Sequence, residues 1–166
     1  MATLLDLVHA FPTRGDRPAI IYRTGVRRFV YSYASLYTLS LRMNSFLAGR
    51  GIGAGDRVLL WAPNSPWWAA AFWGCVARGA IVVPVDFMSG AERASTIQRI
   101  SEARFVIQSR FKGEALSGVP SCFAEDLHFI LPEMAPLAPA TETAADDIAE
   151  LVYTSGTTGA PKGVIL

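Results

Sequence analysis

What this chain has little of narrows its chemistry before any motif is read. It has two cysteines, Cys75 and Cys122, in no CxxC or His-paired spacing. That argues against a thiolate metal site and for two buried, reduced thiols. His9 and His128 have no neighbours of metal-ligand type, so both read as incidental. Positive charge is in no surplus: 15 Lys and Arg stand against 14 Asp and Glu, a net charge of +1. With no basic stripe in the sequence, nucleic acid is not an expected partner. The N-terminus, Met1 to Leu7, holds Asp6 and no basic region, unlike a secretory leader. The oiliest run, Trp67 to Val85, is broken by Arg78 and Pro84 and falls short of a membrane span. Internal repeats and low-complexity tracts are absent. A cytoplasmic protein without a membrane span is expected.

What remains is apolar. The chain has 166 residues, 51% hydrophobic and only 17% charged, enough for one domain with a sizeable core. Either that core is large, or part of the surface is normally buried against more chain. Such a face offers a route to a homodimer.

The periodicity reads as α/β. Arg17–Arg23 and Arg27–Tyr33 form two strands joined around Thr24 and Gly25, an opening hairpin over about 17–33. Ser32 then caps a helix from about Tyr33 to Arg50, with Leu36, Leu39, Met43, Phe46 and Leu47 at helical spacing. Gly51, Gly53 and Gly55 follow that helix and precede a strand. A dinucleotide fingerprint requires strand, glycines, then helix, so these glycines are a helix stop and turn. Arg57–Ala62 is a buried strand. Ser65 and Pro66 are the cap and first residue of a helix through Trp67–Arg78, apolar nearly all round and ended by Gly79. Ala80–Val85 is an all-apolar strand of the parallel-sheet kind. Ser89–Ser101 is a further helix and Arg104–Ser109 a further strand. Strands alternating with helices make a βαβαβ layer over about 33–119. A Pro- and Ala-rich connector over about 120–145 then leads to a terminal hairpin over about 148–166.

That hairpin carries the chemistry. Leu151–Tyr153 and Val164–Leu166 flank Thr154, Ser155, Gly156, Thr157, Thr158, Gly159 and Lys162. Glycines let successive backbone N–H groups turn into one concavity, and such nests favour anions. Hydroxyls and an ammonium add charge-assisted bonds to phosphate oxygens, each worth about 1.5–3 kcal/mol. Lys112 and Lys162 are the only lysines, so in a chain that otherwise uses arginine a lysine here indicates a compact point charge. The loop is not a Walker A loop. That pattern ends in Gly-Lys-Ser/Thr at a helix start, whereas Lys162 is preceded by Pro161, followed by Gly163, and runs into strand-like residues.

Tyr153-Thr-Ser-Gly-Thr-Thr-Gly-Ala-Pro-Lys-Gly-Val164 resembles the phosphate-loop signature of the acyl-adenylate-forming (AMP-binding) superfamily. Its members are acyl-CoA synthetases, adenylation domains of nonribosomal peptide synthetases, and luciferases. Phe29-Val-Tyr-Ser-Tyr-Ala-Ser-Leu36, Gly55-Asp-Arg-Val-Leu-Leu-Trp-Ala-Pro-Asn-Ser-Pro66 and Arg78-Gly-Ala-Ile-Val-Val-Pro-Val-Asp86 are similar to three further blocks of that family. The resemblance runs from about residue 15 to the end. Ser35 departs from it, standing where the family often has glutamate, so Ser32 lacks the reciprocal half of a capping box.

The resemblance implies the N-terminal, mostly parallel α/β layer of that fold, and a two-step reaction. A carboxylate, with a fatty acid favoured, attacks ATP to give acyl-AMP and pyrophosphate, and coenzyme A then takes the acyl group as a thioester. It implies Mg2+ on the phosphates. Thr154, Ser155, Gly156, Thr157, Thr158, Gly159 and Lys162 map onto the loop that orients the β- and γ-phosphates; none is an acid, base or nucleophile. No catalytic or metal-ligating residue is assigned. The family's adenine, acyl, metal and coenzyme A contacts fall past Leu166, so residues 1–166 are expected to be an incomplete N-terminal domain without ligase activity alone. Two alternatives stand beside this reading. One is a non-catalytic module that binds nucleotide or polyphosphate; the other is an aryl- or amino-acid-activating branch.

Overall fold

The computed structural model describes residues 3–140, 143–144, 146–154 and 162–166. The chain starts with a helix that the pattern reading missed, α1 (Leu4–Arg14). Its signal is a capping box: Asp6 N donates to Thr3 Oγ1 (3.3 Å) and Thr3 N donates to Asp6 Oδ2 (2.7 Å). The hairpin follows as β1 (Pro18–Thr24) and β2 (Arg27–Ser32), antiparallel about the Gly25 turn. Ser32 caps α2 (Tyr33–Ala48), accepting a bond from Ser35 N at 3.1 Å. No acid completes a box there, as Ser35 led us to expect.

Gly51, Gly53 and Gly55 do lie in a turn between α2 and β3 (Arg57–Trp61). Gly51 and Gly55 hold positive φ, 72° and 74°, which only glycine adopts without strain. Ser65 caps α3 (Pro66–Arg78), its hydroxyl oxygen accepting from Trp68 N (3.1 Å), and Gly79 closes the helix in a left-handed conformation. Then come β4 (Ile81–Pro84), α4 (Ala91–Ile100) and β5 (Phe105–Gln108). The stretch expected as a connector is more than that. It contains β6 (Ser121–Phe123) and α5 (Leu127–Glu133). A three-residue strand and a seven-residue helix holding Pro132 are too short for periodicity to reveal.

The four strands β4-β3-β5-β6 are parallel in that order. Period-two alternation splits their side chains between two cores. Val58, Leu60, Val82, Phe105 and Ile107 pack with Met43, Phe46 and Leu47 of α2, Ala70 and Ala71 of α3, and Leu127 and Leu131 of α5. Leu59, Trp61, Val83 and Val106 face the other way, against Ala94 and Ile97 of α4. Both faces are covered, which is why the strands read as unbroken apolar runs. No residue of α3 is exposed.

Asp56 pins the amino end of this sheet. Arg104 Nη1 donates to both its oxygens at 2.9 Å, and Gly53 N donates to Oδ2 at 2.8 Å. Partial burial pushes the carboxyl upward, but the Arg104 and Gly53 bonds outweigh it and hold the pKa below its ordinary 3.8. A carboxyl lowered on folding contributes stability above its unfolded pKa and loses it as pH falls through the folded value. Asp56→Asn should therefore lower the urea midpoint at neutral pH, and the gap to wild type should close below about pH 4. A gap that persists unchanged into acid would refute the charge account.

Candidate functional site

The terminal hairpin is built as β7 (Leu151–Thr154) and β8 (Lys162–Ile165). Just before β7, Glu150 bridges Val82 in parallel and Val82 N donates to Ala149 O at 3.0 Å. The hairpin thus abuts the β4 edge of the main sheet, with β7 running in the same direction as β4. Leu151 and Tyr153 pack onto the core that contains Leu59, Trp61 and Val83. Burial beside that junction raises the Glu150 pKa.

This direction decides where the loop sits. The chain leaves β7 at the carboxyl ends of the strands, where the segments after β3, β4 and β5 also emerge. That is where α/β sheets bind ligands. In the β7–β8 register Thr154 stands opposite Lys162, and both are exposed. A hydroxyl and an ammonium therefore face each other at the mouth of the loop. Ser155, Gly156, Thr157, Thr158 and Gly159, expected to line the same cradle, lie outside the described residues.

Two contacts brace the stem. Arg93 Nη2 of α4 donates to Tyr153 O (3.4 Å). Across the hairpin Tyr153 faces Gly163, where a Cβ would stand 3.2 Å from Tyr153 Cε1, so the ring lies directly over the glycine. Arg93 carried no sequence signal, since it belongs to no motif and reaches the loop only through the docking of α4. Gly163 did, as part of the loop signature.

Nearby polar groups are already engaged with one another. Lys112 Nζ lies 4.3 Å from the Phe87 ring centroid and 5.1 Å from that of Trp61, and donates to Ser89 O at 3.3 Å. Ser109 Oγ donates to Glu125 Oε1 (2.6 Å), and Arg110 pairs with Asp126 (2.6 Å). These contacts tie the ends of β5 and β6 together. The thiols are inert: burial pushes both Cys75 and Cys122 up to about 12.

A cavity of about 780 Å3 lies elsewhere. It opens at the amino ends of the strands, between Thr3 and Leu4 at the start of α1, Ile81 and Glu150. Neither Thr154 nor Lys162, the two expected site residues among those described, lines it. Among the described residues no helix is long and apolar enough to cross a membrane.

Residues 8–166 match the family described as AMP-binding enzyme. The chain is 32% identical over 145 residues to the long-chain-fatty-acid-CoA ligase FadD13 of Mycobacterium tuberculosis, covering 81% of this chain and 29% of that protein. It is 31% identical to 4-coumarate-CoA ligase 1 of Petroselinum crispum, over 92% of this chain and 30% of that one. The inhibitor-bound N-terminal domain of FACL13 from Mycobacterium tuberculosis superposes with a TM-score of 0.86 at 30% identity, covering 100% of this chain and 44% of that one. The chain thus spans under a third of the length of these curated relatives. The parallel α/β layer with flanking helices matches the corresponding domain of adenylate-forming enzymes.

Proposed function

This chain belongs to the family of AMP-binding enzymes, and from that membership we propose that it forms the N-terminal part of an ATP-dependent acyl-CoA synthetase acting on fatty acids in the cytoplasm. The observation that carries the proposal is the pairing of Thr154 with Lys162 at the carboxyl end of the sheet, flanking a loop made of hydroxyls and glycines. In the first step a carboxylate oxygen bonds to the α-phosphorus of ATP. The bond from that phosphorus to the bridging oxygen breaks, and pyrophosphate leaves. In the second, the thiol sulfur of coenzyme A bonds to the acyl carbon, the bond from that carbon to the phosphate oxygen breaks, AMP leaves, and the thiol proton passes to solvent.

The part this chain plays is positioning. Lys162 offsets charge gathering on the leaving pyrophosphate, Thr154 donates to a phosphate oxygen, and the Arg93 and Tyr153 contacts hold the stem. No proton is taken or given by these groups. Among the described residues no three His, Cys, Asp or Glu side chains gather for a metal. Magnesium would arrive with the phosphates and offset their charge.

The test is carboxylate-dependent exchange of labelled pyrophosphate into ATP. The gene product that carries this chain should exchange fastest with fatty acids, and residues 1–166 alone should stay flat. Faster exchange with coumarate or another aryl acid would move the protein to the branch of its 4-coumarate relative. Exchange by the 166 residues alone would overturn the reading of them as one part of the site.

A further inference from the structure

The seam between β4 and β7 loses its backbone donor just before the phosphate loop begins. Along a parallel strand the amides alternate between the two edges. Ile81 N donates to Asp56 O (2.8 Å) and Val85 N to Leu60 O (2.9 Å), both on the β3 side, whereas Val82 N donates to Ala149 O (3.0 Å) on the β7 side. The next donor on the β7 side is due at residue 84, opposite Leu151 O. That residue is Pro84, which has no N–H. The Val82–Glu150 bridge therefore stands isolated, with no ladder continuing from it.

Past that bridge, the β7 carbonyls that face β4 need another partner. Glu150 N and O engage Leu166 across the hairpin, so the carbonyls of Leu151 and Tyr153 turn to the β4 side with that of Ala149. Arg93 Nη2 donates to Tyr153 O at 3.4 Å. Arg93 lies in the first turn of α4, the helix that follows β4, and Ala94 and Ile97 of that helix are buried against the sheet. A guanidinium held by a docked helix thus stands in for the amide that Pro84 withholds. Packing of the Leu151 and Tyr153 side chains adds attraction without direction. The hydrogen bond, being directional, sets where the Tyr153 carbonyl lies against the sheet.

Tyr153 is followed directly by Thr154, whose partner across the hairpin is Lys162. Moving the Tyr153 carbonyl moves both. In a site that works by positioning, a misplacement of about 1 Å can cost about a hundredfold. We propose that Arg93 is a positioning residue for the phosphates of ATP, acting through Tyr153 O to set the angle at which the phosphate loop leaves the sheet. The inference rests on the acyl-adenylating function proposed above. It gives Arg93 no proton to transfer and no direct contact with phosphate.

Pyrophosphate exchange and hydrogen exchange, both on the gene product that carries this chain, test it together. Arg93→Met keeps an unbranched stem and removes the donor. It should raise the KM for ATP by about tenfold, leave the KM for the carboxylate and the Tm near wild type, and speed deuterium uptake by peptides spanning β7. Arg93→Lys, which keeps a charged donor, should recover part of the ATP KM. So should Pro84→Ala/Arg93→Met, because the change at residue 84 returns an N–H to the seam. An unchanged ATP KM in Arg93→Met, equal changes for both substrates, or a double variant no better than Arg93→Met would each overturn the proposal. A wild type that exchanges pyrophosphate with no carboxylate would instead sink the proposed function. Faster β7 uptake in Arg93→Met would then still uphold Arg93 as the brace of the loop, and unchanged uptake would still overturn it.

Discussion

Gly74→Ala is expected to destabilise this fold by about 2–3 kcal/mol, lowering Tm by roughly 5–10 °C for a chain of this size. Such a loss from one methyl group runs against helix propensity, which favours alanine over glycine by about 1 kcal/mol. Packing decides the sign. Gly74 lies where α3 crosses α2, and a Cβ there would overlap Met43 Cβ and Cγ and stand 3.3 Å from Ser40 O. Met43 cannot yield cheaply. It is fully buried among Phe46, Leu47 and Ala71, and its Cβ and Cγ lie at the stem of the side chain, not at its mobile end. The helices must separate, and their separation opens the larger of the two cores. Thermal unfolding followed by circular dichroism gives the answer. Equal or greater stability of the variant would mean that propensity wins and that the crossing is looser than its geometry. Met43→Ala/Gly74→Ala should lose less than the sum of the two single changes, because the residues share one space.

The legibility of this fold in its sequence follows the same division between local and distant causes. Ser32, Ser65, Pro66 and Gly79 act within a turn of themselves, and the helix ends they mark stand where they were expected. Val58–Trp61, Ile81–Val83 and Phe105–Ile107 are unbroken apolar runs because both faces of the sheet are covered. β6 has no such signal: its three residues are a strand only because Val106 and Ile107 of β5 pair with Ser121 and Cys122. α1 was legible in principle, since Thr3 and Asp6 spell a capping box, but Pro12 and a short apolar stripe hid it. At the site, Thr154 and Lys162 were readable as loop residues, whereas the Arg93 bond to Tyr153 depends on how α4 docks. The opening hairpin was legible as two strands about Thr24 and Gly25, but its burial was not. Ile21 and Val30 are apolar yet face water, a placement set by how the hairpin lies on the rest of the chain and not by local pattern.

Lys162→Ala is expected to lower carboxylate-dependent pyrophosphate exchange by about a hundredfold, measured on the gene product that carries this chain. The estimate follows from removing one charge-assisted donor from a site that works by positioning alone. Lys112 supplies an internal control, because the two lysines are chemically the same and differ only in surroundings. Lys112 is committed to the Phe87 and Trp61 rings and to Ser89 O; Lys162 is exposed beside the loop, opposite Thr154. Lys112→Ala should therefore lower Tm and leave exchange by the folded fraction near that of wild type. Lys162→Ala should leave Tm unchanged and lose exchange. Lys162→Arg sharpens the distinction. It keeps the charge but replaces a compact ammonium by a planar fork on a longer reach, so it should recover only part of the lost rate. Full recovery would mean that any cation at this position suffices. An unchanged rate in Lys162→Ala would remove Lys162 from the site and leave the loop's hydroxyls and backbone N–H groups to hold the phosphates without it.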